Sequence, residues 1–425
     1  MNAWFENALN RAVSSVEQAS DALSSLKAAS LAQLQQTPWP TRKTEAWKYT
    51  SLKALENCHF DSSQPAALAE SQQFTRLQAL DGLNIIIQDG HIQTDISALK
   101  VPTGMTINTL SQLGEVPSWV AEHFGQAKPQ KHIFGLVNDV LANDVIVIDV
   151  VAEANINTPI KILHQASEGK EGQSRVLVRL GEKAKAAIVE VFMADSNSSF
   201  TNGFSEYFIA PNAKLEHYRF QLQSQKAMSA GGCHFSLQSK AKLNSTFVGF
   251  GSELSRTDID ILHKGEFADA KLNAVYLVDG NEQFDLHSTI EHEVPNCTSL
   301  ENVRGIAGGK GKATFNGRIH IHRDAQKTLA ELNNRNLLLT DTAQINTKPE
   351  LEIYADDVRC AHGATVAQLD DASLYYLRSR GVSKEHALVM LNYGFINALV
   401  DEMSNEALSE WLRPILQQRF AEMGE

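Results

Sequence analysis

Cys360 and His362 are separated by a single alanine, in the segment Cys-Ala-His-Gly. In an extended chain both side chains project from one face, about 7 Å apart, so a thiolate and an imidazole could contact one soft metal centre. Two ligands do not complete a tetrahedral or cluster site. The pair is therefore either structural or one half of a site that another chain completes. A Cys-His nucleophilic site is a third option, but no residue that would orient the imidazole is evident.

His320 and His322 alternate with two isoleucines, so their imidazoles would share one face of a strand. No third ligand is evident beside them, which favours two structural histidines over a metal site. His287 and Glu291 could share a strand face as well, and a metal site there is a weaker hypothesis.

Other motif-like patterns do not predict catalysis. The glycine-rich residues 304–314 miss the spacing of a phosphate-binding loop, and a strand pattern follows where that motif needs a helix. Gly249 and Gly251 begin a GxG that lacks its third glycine. Asp356 and Asp357 are adjacent, so in a strand they would face opposite sides and could not easily act on one substrate.

The composition predicts a globular protein with an acidic surface. The 425 residues include 38 Lys plus Arg against 50 Asp plus Glu, a formal net charge of −12. This balance argues against a nucleic-acid or membrane partner, since both bind basic surfaces. The four cysteines form no CxxC pair, which fits a reducing compartment and argues against zinc fingers. No stretch resembles a signal peptide or membrane span, so we expect a cytoplasmic protein.

The sequence pattern predicts that mainly β-strands position these residues. From about residue 131 the sequence changes to short β-branched runs broken by Gly, Asn and Asp. A repeat of about 29 residues, without a helical pattern inside it, predicts a β-solenoid of stacked coils. A β-sandwich with evenly spaced turns is the alternative. Similar strand starts occur at Ala184, Ala213, Ala241, Ala270 and, after a longer interval of 43 residues, Ala313.

Two further expectations follow from this repeat. The interval of 43 residues predicts one coil with an inserted loop. The even spacing before it predicts that Leu215, Leu243 and Leu272 lie above one another inside the solenoid.

Helical patterns occupy both ends of the chain. An apolar stripe from Phe5 to Leu34 predicts a helix that ends before the prolines at 38 and 40. The segment from Ala387 to Val400 is apolar nearly all round, so it predicts a helix that must be covered. We therefore expect a helical and mixed region over 1–130, a parallel β core over 131–370 and a helical region over 371–425.

Three longer segments carry a resemblance to a known family. They are 40–50 (Pro-Thr-Arg-Lys-Thr-Glu-Ala-Trp-Lys-Tyr-Thr), 346–365, which contains the Cys-Ala-His-Gly segment, and 374–381 (Leu-Tyr-Tyr-Leu-Arg-Ser-Arg-Gly). In this order they resemble the SufB/SufD family of bacterial iron-sulphur cluster assembly, in particular its SufD branch. No CxxC-type cluster occurs in the amino-terminal half, which argues against the SufB paralogue.

The resemblance implies a right-handed parallel β-helix between two helical regions. It also implies a non-catalytic scaffold that forms a heterodimer with SufB and joins two copies of the ABC-type ATPase SufC. A transient iron-sulphur cluster would form near the contact with SufB. The isolated chain would hold no cofactor, and a homodimer is the alternative state when the partners are absent.

The resemblance assigns roles to particular residues. His362 would act with a cysteine of SufB, and Cys360 is a neighbouring candidate. Tyr376, Arg378, Arg380 and Gly381, with the helices that follow, would dock SufC.

A polysaccharide-processing β-helix enzyme is the hypothesis from another class, because solenoids often display long grooves. It is disfavoured because such a site needs paired carboxylates or bound calcium, and because a secreted enzyme would need a signal peptide.

Overall fold

The computed structural model describes residues 2–18, 23–68, 71–194, 198–223 and 225–423. It is mostly β, with about eight turns of a parallel β-solenoid and helices at both ends of the chain. The solenoid that the repeat predicts is therefore confirmed, and the β-sandwich alternative is wrong.

Each coil of the solenoid places one strand in each of two sheets. Neighbouring strands are parallel, except for two antiparallel pairs: β1 (Leu83–Gln88) with β2 (His91–Ile92), and β3 (Met105–Thr109) with β4 (Val145–Val150). The first sheet contains β1 (Leu83–Gln88), β2 (His91–Ile92), β5 (Ile160–Ala166), β7 (Lys185–Ala194), β9 (Lys214–Gln221), β11 (Lys242–Phe250), β13 (Asp269–Val278), β15 (Thr298–Ala307), β17 (Leu329–Leu338) and β19 (Arg359–Gln368). The second sheet contains β3 (Met105–Thr109), β4 (Val145–Val150), β6 (Glu171–Leu180), β8 (Ser199–Ile209), β10 (Gln225–Leu237), β12 (Ser252–His263), β14 (Gln283–His292), β16 (Lys312–Ile321) and β18 (Gln344–Ile353).

Helices pack on the outer faces of both sheets. Those from the amino-terminal part, mainly α1 (Ala3–Gln18) and α6 (Ile133–Leu141), cover the second sheet. The carboxy-terminal helices α8 (Lys384–Asp401) and α9 (Glu406–Glu422) cover the first. Short 3₁₀ turns lie at Glu45–Trp47, Ile96–Ala98 and Leu110–Gln112. The α-helices are α1 (Ala3–Gln18), α2 (Leu23–Gln36), α3 (Lys53–Glu56), α4 (Gln72–Gln78), α5 (Ser118–His123), α6 (Ile133–Leu141), α7 (Asp371–Ser379), α8 (Lys384–Asp401) and α9 (Glu406–Glu422).

The single amino-terminal helix that the apolar stripe predicts is two helices. α1 and α2 pack against each other and against α6, and positions 19–22 between them lie outside the described residues. Trp4, Ala8 and Ala12 are buried on one face of α1, where the two alanines permit close approach of the packed elements. α2 ends at Gln36, before the two prolines, as predicted.

A residue with left-handed backbone lies at the corner where the chain passes from a strand of the second sheet to the next strand of the first sheet. The recurrence of this corner residue sets the repeat. Among the described residues, one such residue occurs in each of seven successive coils, with φ between 58° and 63°. Its N–H commonly donates to a carbonyl oxygen at the corner of the next coil; the Asn212 N–H, for example, bonds the Ser239 carbonyl oxygen at 2.9 Å. A small residue follows each corner, and it is buried at every corner from Lys183 onward, so the fourth strand start is Ala268 rather than Ala270. The corner residues are Glu153, Lys183, Asn212, Lys240, Phe267, Asn296 and Lys327.

This register corrects two expectations. Leu215 pairs directly with Leu243, but Leu272 pairs with Ser245, so the three leucines share the interior without forming one column. The interval of 43 residues contains no inserted loop, because Ala313 begins a strand of the second sheet, whereas the earlier starts belong to the first.

The apolar helix predicted between Ala387 and Val400 is the main part of α8. It packs against α7, α9 and the outer face of β13 and β15, as a helix without a polar face requires. Ile396, Leu399 and Val400 are buried there, while Met390 stays 54% exposed.

Candidate functional site

In the part of the chain that the structure describes, the last coil of the solenoid has no neighbouring strand on its outer side. Within the described residues, β18 pairs only with β16, and β19 pairs only with β17. Residues of both strands are half-buried or exposed, whereas earlier strands are largely buried. Two rows of backbone N–H and C=O groups are therefore available to pair with another strand, a situation that natural proteins normally protect. We call this surface the open end.

Cys360 and His362 lie in β19 at the open end. They stand in register with Ala330 and Leu332 of β17, whose side chains belong to the interior core. Because paired residues of parallel strands point to the same side, Cys360 and His362 share the interior-facing side. The structure thus places the two side chains on one face, as the sequence predicts.

The two side chains differ in their surroundings. The Cys360 thiol is half-buried against the interior core, and burial raises its pKa, which disfavours the thiolate that a nucleophile requires. The His362 imidazole is exposed and has no hydrogen-bond partner among the residues that the structure describes. The pair therefore lacks the arrangement of a Cys-His protease and leaves one imidazole free to contact another molecule.

A polar ladder supports β19 from the neighbouring strand. Asn336 Nδ2 donates to Asn334 Oδ1 at 2.6 Å and to the Thr365 carbonyl oxygen at 3.1 Å. Thr347 of β18 donates to the same Asn334 oxygen at 2.7 Å. These bonds hold both strands of the last coil in register next to His362.

A second surface lies on α7, directly after the solenoid. Tyr376 is 57% exposed, Arg378 is exposed in the last turn, and the Arg380 guanidinium lies 5.2 Å from the centre of the Tyr376 ring. No residue of α7 is buried, so this helix presents an aromatic and basic face to solvent.

Gly381 has a structural reason to be glycine. It has φ +87°, and its N–H donates to the Arg378 carbonyl oxygen while the Val382 N–H donates to that of Leu377. This is the Schellman arrangement that ends a helix, and it turns the chain from α7 into α8.

A third cluster contains Glu291, His320 and His322, which the sequence analysis did not place together. Glu291 of β14 pairs in register with His320 of β16, and Glu291 Oε2 lies 3.2 Å from His320 Nδ1 and 2.9 Å from His322 Nε2. Glu291 therefore supplies the third potential ligand group that was not evident beside His320 and His322 in the sequence. His287 instead pairs with Asp285, at 3.0 Å. The spacing of 29 residues between Glu291 and His320 is the signal that could have found this cluster.

The remaining motif-like residues have structural roles. The glycine-rich stretch forms the turn between β15 and β16, where Gly309 has φ +53°. Asp356 and Asp357 are exposed in a bend between β18 and β19. Within the described residues, every helix is too short or too polar to cross a bilayer.

Comparison with known proteins agrees with this architecture. The model of the SufBD core domain, from the SUF system of iron-sulphur cluster assembly, matches residues 162–395, and the SufBD amino-terminal region matches 7–162. The chain is 30% identical over 396 residues to the iron-sulphur cluster assembly protein SufD of Escherichia coli (strain K12), covering 92% of this chain and 91% of the relative.

More distant relatives come from Bacillus subtilis (strain 168). The chain is 24% identical to its SufB, over 72% of this chain and 67% of the relative. It is also 24% identical to its SufD, over 69% of this chain and 68% of the relative.

Proposed function

The chain belongs to the SufBD family of iron-sulphur cluster assembly proteins and is a homologue of SufD, and from this premise we propose that it is a non-catalytic scaffold of a cytoplasmic SufBCD complex. In this proposal the chain pairs with the paralogue SufB, and the ATPase SufC drives the assembly. A transient iron-sulphur cluster forms as cargo at the contact between the two paralogues.

The open end carries the proposal. Its two strands are each unpaired along the outer edge. Each has ten residues and is about 33 Å long at the usual rise of a strand, so a paralogue with the same coil geometry can add its own strands to them. His362 lies on the interior-facing side of one of these strands, so pairing would bring groups of the second chain to this imidazole.

A site divided between two chains suits assembly followed by release. Cys360 and His362 supply at most two ligands, whereas a stable cluster commonly uses four. Each half alone therefore binds weakly, and separating the halves would release the cluster. The raised pKa of Cys360 favours His362 as the principal ligand on this chain.

The exposed face of α7 supports docking of the ATPase. Tyrosine and arginine are enriched among the residues that dominate binding energy at interfaces, and Tyr376, Arg378 and Arg380 lie together there. α7 contacts α8, which packs on β13 and β15, so movement of a docked partner would be transmitted to the solenoid through these helices.

The test of the cluster site is His362→Ala in the complete complex. We expect the variant co-expressed with SufB and SufC to contain less iron and to show weaker visible absorption after anaerobic purification, with subunit composition and ATPase activity unchanged. His59→Ala is the matched control, because His59 is exposed in the amino-terminal region. Equal cluster content in all three complexes would contradict the role of His362.

The test of the docking surface is Tyr376→Ala. Loss of an interface anchor costs about 2 kcal/mol or more, so we expect SufC to be lost from the complex during purification while SufB is retained. Tyr49→Ala changes another exposed tyrosine and should leave SufC bound. Retention of SufC by the Tyr376 variant at wild-type affinity would show that α7 is not the docking surface.

A further inference from the structure

We propose that Glu291, His320 and His322 bind one divalent first-row transition-metal ion on the outer face of the second sheet. This site is separate from the open-end pair, since its residues lie on β14, on β16 and just after β16, and it does not depend on the proposed scaffold function. The ion class includes Fe²⁺, Co²⁺, Ni²⁺ and Zn²⁺.

The distances suit a shared ion. Metal bonds to imidazole nitrogen and carboxylate oxygen measure about 2.0–2.2 Å, so ligand atoms at right angles around one ion are about 3 Å apart. Glu291 Oε2 lies 3.2 Å and 2.9 Å from the two histidine nitrogens, and all three ligand atoms lie within 4.8 Å of one another. Small side-chain rotations would bring all three to one ion.

The fold holds the three ligands in place. The in-register pairing of β14 with β16 sets Glu291 beside His320, and the His322 N–H donates to the His292 carbonyl oxygen at 2.9 Å. The two imidazole rings are 4.3 Å apart, and Tyr354 packs edge-on against His320. The backbone of two neighbouring coils therefore positions the ligands before any ion binds.

The charges leave room for a cation. Arg318 is bound to both oxygens of Glu352, at 2.9 Å and 2.8 Å, and to Glu291 Oε1 at 3.1 Å. Arg318 thus fixes one oxygen of Glu291 and leaves Oε2 directed at the imidazoles. The carboxylates of Glu291 and Glu352 and the guanidinium of Arg318 have a combined charge of −1. A bound divalent ion would change this charge to +1.

Glu291 is positioned to act as a ligand. Its Oε2 atom faces both imidazoles, and a carboxylate oxygen is a common ligand of divalent first-row metal ions beside imidazole nitrogen.

Two imidazoles and one carboxylate on one side of an ion leave its remaining positions open. This is the ligand set of non-haem Fe²⁺ sites, and imidazole also suits zinc, nickel and copper. The His322 side chain is 41% exposed, so water and dissolved ions reach the site directly. These features predict an exchangeable ion rather than a closed structural one.

The experiment is a titration of the full-length chain after removal of metal with a chelator. Co²⁺ is the probe, followed by visible absorption and calorimetry, with Fe²⁺ added in a separate anaerobic titration. We expect one Co²⁺ per chain. Loss of a residue that only orients a ligand typically weakens a site 10–100-fold, so His320→Ala, His322→Gln and Glu291→Gln should each weaken binding at least about tenfold.

Two controls locate the site. His287→Ala removes a histidine from the same face of β14, and His59→Ala removes an exposed histidine of the amino-terminal region; both should bind Co²⁺ as the unmodified chain does. Because His322 is partly exposed, His322→Gln should keep the fold, which is checked by thermal unfolding without metal. Absence of a stoichiometric ion in the unmodified chain, or equal affinity in the ligand variants, would overturn the proposal.

Discussion

Two clusters in this protein contain the same four side chains, namely one glutamate, two histidines and one arginine. The outer cluster is Glu291, His320, His322 and Arg318. The inner cluster is Glu190, His164, His217 and Arg219, and all four of its members are buried between the two sheets. Because the residue types are the same, comparing the two clusters shows what burial does to the charges and contacts of these side chains.

The inner cluster leaves its carboxylate no open side. Glu190 accepts hydrogen bonds from Ser205 at 2.5 Å and Tyr207 at 2.6 Å, and it lies 3.1 Å from Arg219. His217 Nε2 lies 3.2 Å from Oε1, the oxygen that Tyr207 binds, whereas Ser205 and Arg219 contact Oε2. Since Ser205 and Tyr207 belong to the second sheet and Glu190 to the first, this network ties the sheets together across the interior.

Burial also sets the protonation states. Burial lowers the pKa of His164 to about 3 and lowers that of His217. Burial raises the pKa of Glu190, but Arg219 and His217 lower it more, so this carboxyl group is ionised. The inner cluster is a structural ion pair with neutral histidines, whereas the outer one has partly exposed ligands.

The largest effect is expected from Glu190→Ala. Removing one partner of a buried ion pair leaves an uncompensated charge on Arg219 and costs about 3–5 kcal/mol. Urea unfolding of the variant and the unmodified chain measures the difference. Arg219→Ala should cost a similar amount, and the double variant should cost less than the sum of the two. A loss below about 1 kcal/mol would show that the inner cluster does not hold the sheets together.

Metal should stabilise the protein through the outer cluster alone. An ion present at 100 times its dissociation constant adds about 2.7 kcal/mol to the free energy of unfolding. We expect Co²⁺ to raise the thermal midpoint of the unmodified chain but not that of His322→Gln. His287→Ala is the control and should respond as the unmodified chain does. Equal stabilisation of His322→Gln would assign the effect to another site.

Acid should destabilise the protein through His164. Its pKa is about 3 in the folded chain and about 6.5 when unfolded, so the unfolded state binds more protons between these values. Stability is therefore present above pH 6.5 and is lost as the pH falls towards 3, by about 2 kcal/mol between pH 7 and 5. Urea unfolding at both values measures this loss, which should be smaller in His164→Phe. An identical pH dependence in the variant would contradict the assignment.

The smallest effect is expected from Arg318→Ala. Its side chain is 28% exposed, and ion pairs that water can screen contribute about 0–1 kcal/mol. The same urea measurement, compared with Arg219→Ala, tests whether exposure separates the two arginines. Equal losses for both would break the comparison between the clusters.

The fold class was predictable because a solenoid repeats its corner chemistry along the chain. The strand starts at Ala184, Ala213 and Ala241 recur at coil length, and each follows a left-handed corner. The next start was misplaced by two residues, at Ala270 instead of Ala268. Side chains of a strand alternate with a period of two, so a shift of two keeps every side chain on its own face and leaves the hydrophobic pattern unchanged.

Some properties of the candidate sites were likewise predictable from the sequence, and others were not. Local spacing alone determined that Cys360 and His362 share a face, since alternation along one strand is a property of the backbone. Only the tertiary structure decided that their strand is the last in its sheet and that its outer edge is unpaired. It also decided that Glu291 meets His320, and that Glu190 is sealed between two sheets. These contacts depend on which strands become neighbours and in what register, and pairing between strands is settled by the packing of the whole solenoid.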